Sequence, residues 1–451
     1  MFLRIILLQF VLFSVSSFAE GYFGNGIKIG ELTSDSAVIW VRLTTVKGDA
    51  SSAEKSAPPF AGSFEISLKS SSSQAMVSTH ATDVENDACV SIPYKGLKPG
   101  TEYTVTVKTK VDELNGSFTT APAEDSISEV SGVVVTGQRI DTADDPKKGH
   151  FIYSELSKLR PGFFVHTGDV VYYDKGGIQP LSTSVDLARK RWNRIFSFEW
   201  NKNFHSTTPV YYIKDDHDTL KNDCWPGQTY GDLTFDQGVK IFNEQTPQSE
   251  KPYKTVSWGK DLQIWILECR EYRSANTAKD GPNKTILGKE QKDWLVKTLG
   301  DSKASFKLVI SPIPLIGPDK NSSKSDNWAN KQFATESKWL KETLAAIPNL
   351  YFLCGDRHWQ YVSKDPATGL YEYCSGPVSL KHATGGGGSK GAKANDKYHQ
   401  FFAVRGGFLY FKVSREDNKP VLTFKYFDSE KKANGRLQET YSKTHTYIES
   451  K

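Results

Sequence analysis

Three blocks of this chain carry aspartate and histidine between stretches that read as sheet and helix, two of them just past a short apolar run, and that pattern constrains the fold more than any other feature. The run Gly162 to Val165 leads into Val165-His166-Thr167-Gly168-Asp169-Val170-Val171-Tyr172, and Leu350 to Leu353 leads into Gly355-Asp356-Arg357-His358. Between them lies Tyr212-Ile213-Lys214-Asp215-Asp216-His217-Asp218. An apolar run closed by a small residue and an acid reads as a buried strand whose carboxylate stands on the following loop, where α/β sheets keep their sites. A single Gly-Asp pair more often only caps a helix or turns the chain. Three such loops converging would gather carboxylates and imidazoles around two cations, the equipment for activating water against a phosphoryl group.

At 451 residues the chain exceeds one ordinary core and suits one small and one large domain. Residues 1–19 read as a cleaved signal peptide: Arg4 is the basic start, Ile5 to Phe13 the apolar centre, and Ser17-Phe18-Ala19 the small-residue site before Glu20. The mature protein is therefore expected to be secreted or periplasmic. No later stretch approaches the roughly 20 apolar residues of a membrane span, so no integral membrane segment is expected. The formal charge of +5 is small for this length, and the scattered lysines form no stripe with aromatics, so no nucleic-acid-binding module is expected. Five cysteines make no disulfide framework. Cys354 and Cys374, flanking the last block, are either bridged or two buried thiols. Gly385 to Gly388 lacks the Lys-Ser/Thr of a phosphate loop and reads as a surface loop, and no Gly-x-Ser-x-Gly elbow supports a serine hydrolase.

From Gly21 to Pro122 the chain reads as short alternating strands, among them Ala37 to Arg42, Phe64 to Leu68 and Tyr103 to Lys108. Tyr103 follows the turn Pro99-Gly100, where its hydroxyl could bond back as a tyrosine corner. The run resembles fibronectin type III domains, with Trp40 as the expected core aromatic. Beyond Glu129 apolar runs alternate with helical segments. Strands are expected at Ser131 to Thr136, Gly162 to His166, Asp261 to Glu268, Lys307 to Ser311 and Leu350 to Leu353, and helices at His150 to Leu159 and Glu290 to Leu299. Strands return at Phe408 to Val413 and Val421 to Tyr426. The fold class is α/β, a layered catalytic domain with two facing sheets, preceded by a β-sandwich.

The blocks Gly168-Asp169-x-x-Tyr172, Asp215-Asp216-His217, Leu267-Glu268-Cys269-Arg270, Leu287-Gly288-Lys289-Glu290-Gln291, Asp326-Asn327-Trp328 and Gly355-Asp356-Arg357-His358-Trp359 appear in the order of one known family. The chain resembles the alkaline phosphatase D family of the calcineurin-like metallophosphoesterase superfamily over nearly its whole mature length. The resemblance implies a fibronectin type III-like domain over 20–122 and a four-layer catalytic domain, two facing sheets flanked by helices, over 130–448. It implies an exported, metal-dependent hydrolase of phosphomonoesters, phosphodiesters or both, acting through a metal-bound hydroxide on a small phosphorylated substrate. Asp169 would bridge two metals, Tyr172 and His358 would hold one of them, and Asp216 and Asp356 the other. His217 would protonate the leaving group and Arg270 would hold a phosphate oxygen, with Arg139, Arg357 and Asn327 as further substrate contacts. Gly137 stands where the family has a Cys ligand to iron. That departure leaves the ion open between iron, with Gln138, Asp141 or water in place of the thiolate, and calcium or another divalent cation. The rival reading is a catalytically degraded secreted protein that binds phosphorylated or carbohydrate ligands.

Overall fold

Side-chain alternation along the apolar runs sets the layers. In the strand Val130–Val135, Val130 and Val134 enter one apolar core while Val133 and Val135 enter another. Phe163–His166 does the same, with Phe163 and Val165 on one side and Phe164 on the other. A strand buried on both faces needs apolar residues at consecutive positions, which is why these runs do not alternate in polarity.

The computed structural model describes residues 20–48, 56–71, 73–249, 251–319, 324–384, 392–431 and 437–449. The expected signal peptide and Gly385 to Gly388 lie outside them. A nine-stranded sheet runs in the order Leu437–Thr446, Lys419–Lys431, Gly407–Glu416, Val130–Val135, Phe163–His166, Val210–Tyr212, Ile27–Gly30, Ser36–Arg42, Cys89–Lys95. A seven-stranded sheet faces it, with a parallel centre made by Leu262–Ile266, Phe306–Ser311, Leu350–Cys354 and Tyr371–Cys374. The core between the sheets contains Val134, Phe163, Val165, Ile264, Leu308 and Leu353. Helices cover the outer faces: Phe151–Leu159, Val185–Phe196, Glu199–His205 and Phe235–Gln245 on the first sheet, Gly288–Asp301 and Ala334–Ala345 on the second.

The N-terminal strands are not a separate body. Ile27–Gly30 pairs in parallel with Val210–Tyr212, so the large sheet continues through three N-terminal strands. A four-stranded sheet ordered Met76–Ala81, Ser63–Ser70, Glu102–Lys108, Glu113–Thr119 packs Phe64, Ile66 and Val105 onto Ile29, Ile39 and Val41. The Lys98 N–H donates to Tyr103 Oη at 2.9 Å, closing the corner expected there. Trp40 departs from expectation. It faces the opposite side of its strand, edge-on to Phe196 at 6.0 Å, and its indole N–H donates to the Glu244 carbonyl at 2.8 Å. The strand Ser36–Arg42 is covered on both faces, and Trp40 belongs to the helix side, the other core from that of Ile39 and Val41.

All five cysteines are buried and unbridged, Cys354 and Cys374 as thiols on paired strands. No helix among the described residues is long and apolar enough to cross a membrane.

Candidate metal centre

The three acidic blocks meet where their strands end on the same side of the two sheets. Close approach of the loops explains the glycine in each Gly-Asp pair. A Cβ at Gly168, whose φ is +97°, would stand 2.4 Å from Asp215 Cβ, and one at Gly355 would stand 2.2 Å from Thr167 Oγ1. Asp169 and Asp356 take left-handed φ values of 57° and 61°. Aspartate tolerates that region better than most residues, and such strained positions gather at functional sites.

Tyr172 Oη is the hub of one half of the centre. It donates to Asp169 Oδ2 at 2.8 Å and lies 3.2 Å from His358 Nε2 and 3.3 Å from His382 Nε2. The His358 and His382 rings are 4.1 Å apart. Burial and the Asp169 carboxylate push the Tyr172 phenol up. Oxygen and imidazole donors gathered this closely could be ligands of one cation.

In the other half, a ring nitrogen of His217 and carboxylate oxygens of Asp169 and Asp216 lie within 4.8 Å of one another. Backbone N–H groups of His217 and Asp223 donate to the two Asp216 oxygens at 2.8 and 2.6 Å and fix that side chain. His217 Nδ1 pairs with Asp174 at 2.6 Å. Burial works to lower the His217 imidazole, but Asp216, Asp169 and Asp174 outweigh it and push it up to about 10. Burial moves Asp356 up to about 6 despite the pull of Arg357 and Lys324, with the Asp216 charge adding to the rise.

A metal fits this donor set. Asp169 Oδ1 is buried and has no hydrogen-bond partner among the described residues. Burial, with the charges of Asp216 and Asp218, pushes the Asp169 acid well above the carboxylate range. A buried carboxylate cluster short of positive charge is relieved by a cation. The centre opens into a cavity of about 290 Å³ whose wall carries Arg139, Lys175, Lys324 and Arg357, each paired with an aspartate, beside Asp169, Asp216 and Asp356.

The sequence profile of PhoD-like phosphatases matches residues 133–414, and that of the PhoD-like phosphatase N-terminal domain matches residues 12–122. The chain belongs to the PhoD-like phosphatase family. Alkaline phosphatase D of Bacillus subtilis (strain 168) is 24% identical over 400 residues, covering 77% of this chain and 66% of the relative, just under two thirds of its length. The solved structure of PhoD superposes with a TM-score of 0.78 at 18% identity, covering 96% of this chain and 91% of that one. Purple acid phosphatase PPD1 from yellow lupin (Lupinus luteus) seeds gives 0.62 at 13% identity, covering 93% and 73%. These structures share the fold.

Against this geometry the expected site residues divide into two sets. Asp169, Tyr172, Asp216, His217, Asp356, His358, Arg139 and Arg357 all line the cavity. Arg139 is paired with Asp141 at 3.0 Å, and Arg357 with Asp319 and Asp356 at 2.8 Å each. Arg270 does not line the cavity. It is fully buried and bonded to Asp215 at 2.7 Å and to both oxygens of Asp326 at 2.9 Å, so it braces loops rather than clamping a phosphate. Asn327 is also turned away: its Oδ1 accepts from the Ala329 N–H at 3.0 Å and closes its own turn. Neither proposed stand-in for the missing Cys reaches the phenol. Gln138 accepts a hydrogen bond from Tyr153, and Asp141 is held by Arg139.

Sequence reasoning missed His382, Lys175, Lys324 and Asp174. Lys175 and Asp174 follow Tyr172 in the same block, so only that proximity marked them. Lys324, held 3.0 Å from Asp223, and His382, on the five-residue helix Leu380–Thr384, carry no local signal.

Proposed function

We propose that this chain is an exported, metal-dependent phosphoesterase acting on phosphomonoesters, phosphodiesters or both. The observation that carries the reading is the convergence on Tyr172 Oη of Asp169 and His358, with an Asp169 oxygen buried and unpartnered beside Asp216. Asp169 would be shared between two ions, Tyr172 and His358 would complete one, and Asp216 and Asp356 the other. Cations held there supply Lewis acidity toward water and toward the phosphoryl oxygens. Arg139, Lys175, Lys324 and Arg357 in the cavity wall orient the anionic group and stabilise charge developing on the phosphoryl oxygens.

His217 is the proton donor in this reading. Its Nδ1 is tied to Asp174, which orients the ring and favours its protonated form, leaving the other nitrogen to deliver a proton to the departing oxygen. The gathering of Asp169, Tyr172, Asp216, Asp356 and His358 at one cavity, despite the glycine at 137, favours turnover over the binding-only alternative. Export rests on residues 1–19, and a fibronectin type III-like N-terminal unit on the three-plus-four strand arrangement of 20–122. The test is a panel of mono- and diester phosphates assayed with several added metals. Hydrolysis of at least one class is expected, and a metal-replete protein inert toward every ester would sink the proposal.

A further inference from the structure

We propose that His382 is a metal ligand of this centre, binding through Nε2 in the space that the glycine at 137 leaves open beside Tyr172. The inference rests on the metal-dependent reading above. It adds a residue that no acidic block contains and that sits on the short helix Leu380–Thr384, far along the chain from Asp169.

The placement of the ring carries the proposal. His382 Nδ1 lies 3.2 Å from the Gly137 carbonyl oxygen. A carbonyl only accepts, so Nδ1 bears a hydrogen and Nε2 is turned to the centre. A backbone partner on the far nitrogen is the usual device for aiming an imidazole at a metal. His382 Nε2 stands 3.3 Å from Tyr172 Oη, the atom that Asp169 and His358 also approach, so the ring reaches the point where the other candidate ligands gather. The His358 ring, 4.1 Å from that of His382, places a second imidazole at the same point.

Gly137 makes the arrangement possible. Its φ is +54°, and a Cβ there would stand 3.1 Å from His382 Cε1 and 3.3 Å from Tyr172 Oη. Any side chain at 137 would press on the imidazole and the phenol together. With glycine in place the ring, only 3% exposed, closes over that space.

The test uses the full-length, metal-loaded protein. X-ray absorption at the edge of the tightly held ion should report two imidazoles in the wild type and one in His382→Ala, with the circular dichroism spectrum unchanged. The same variant should hold one ion roughly ten- to a hundredfold more weakly, the loss found when even the partners of a metal ligand are removed. One imidazole in the wild type, a measurement that needs no variant to fold, would overturn the assignment. So would His382→Ala with wild-type metal affinity and imidazole count. A wild-type protein that retains no ion would overturn the metal-dependent function as well, which separates the two failures.

Discussion

Asp169 holds the centre together because one oxygen accepts from Tyr172 and the other faces no hydrogen-bond partner among the described residues. Replacing it with Asn keeps the shape and removes the charge. Asp169→Asn is expected to stay folded, to lose tightly held metal and to lose roughly a hundredfold or more in turnover, since a neutral amide cannot be shared between two cations as a carboxylate can. Metal analysis and turnover on the same sample check this, and full retention of both would remove Asp169 from the centre. His217 answers to a different measurement. His217→Ala should cost roughly 100-fold on esters with alkyl-like leaving groups and much less on nitrophenyl esters, whose leaving group departs without a proton. Equal losses on the two substrates with metal intact would reject its role as the acid.

At the scale of elements, Arg270 ties the loop carrying Asp215 to the segment carrying Asp326, and two further N–H groups brace Asp218 beneath Asp216. Arg270→Ala would leave Asp215 and Asp326 buried without their cation and should destabilise the protein by about 3–5 kcal/mol. Denaturant unfolding reads this directly; a variant of wild-type stability but weakened substrate binding would restore the clamp role. The acidic blocks were legible because they follow strands buried on both faces, whose unbroken apolar runs survive in any reading. The helix Val185–Phe196 was not legible, because its buried face includes Arg191 and Arg194 and so breaks the apolar period. Phe235–Gln245 hides behind Gly238, where a Cβ would collide with the Thr219 carbonyl at 1.6 Å. Arg270 was expected at the substrate for a related reason: an Arg beside an acidic block has the same sequence signature whether it meets substrate or a buried carboxylate. His382 lay beyond reach because it reaches the site through contacts with Gly137 and Tyr172, more than two hundred positions away.

For the whole molecule, the parallel seam between Ile27–Gly30 and Val210–Tyr212 makes the N-terminal strands part of the large sheet. Trp40 and Lys28 extend the seam into the helix layer, with Lys28 Nζ standing 3.5 Å over the Trp40 ring. Removing residues 20–122 would expose Val210–Tyr212 as an unpaired apolar edge, so the remaining fragment is expected to aggregate. Calorimetry of the intact chain should show one transition, and two independent ones would contradict the shared sheet. In the proposed function the cluster around Asp169 binds metal, and the metal supports hydrolysis of phosphate esters. Ester hydrolysis by one purified sample before chelation, after chelation and after metal is returned tests this. Activity is expected to be lost with the ions and restored with them; hydrolysis that continues unchanged in the metal-free protein would rule out a metal-dependent enzyme.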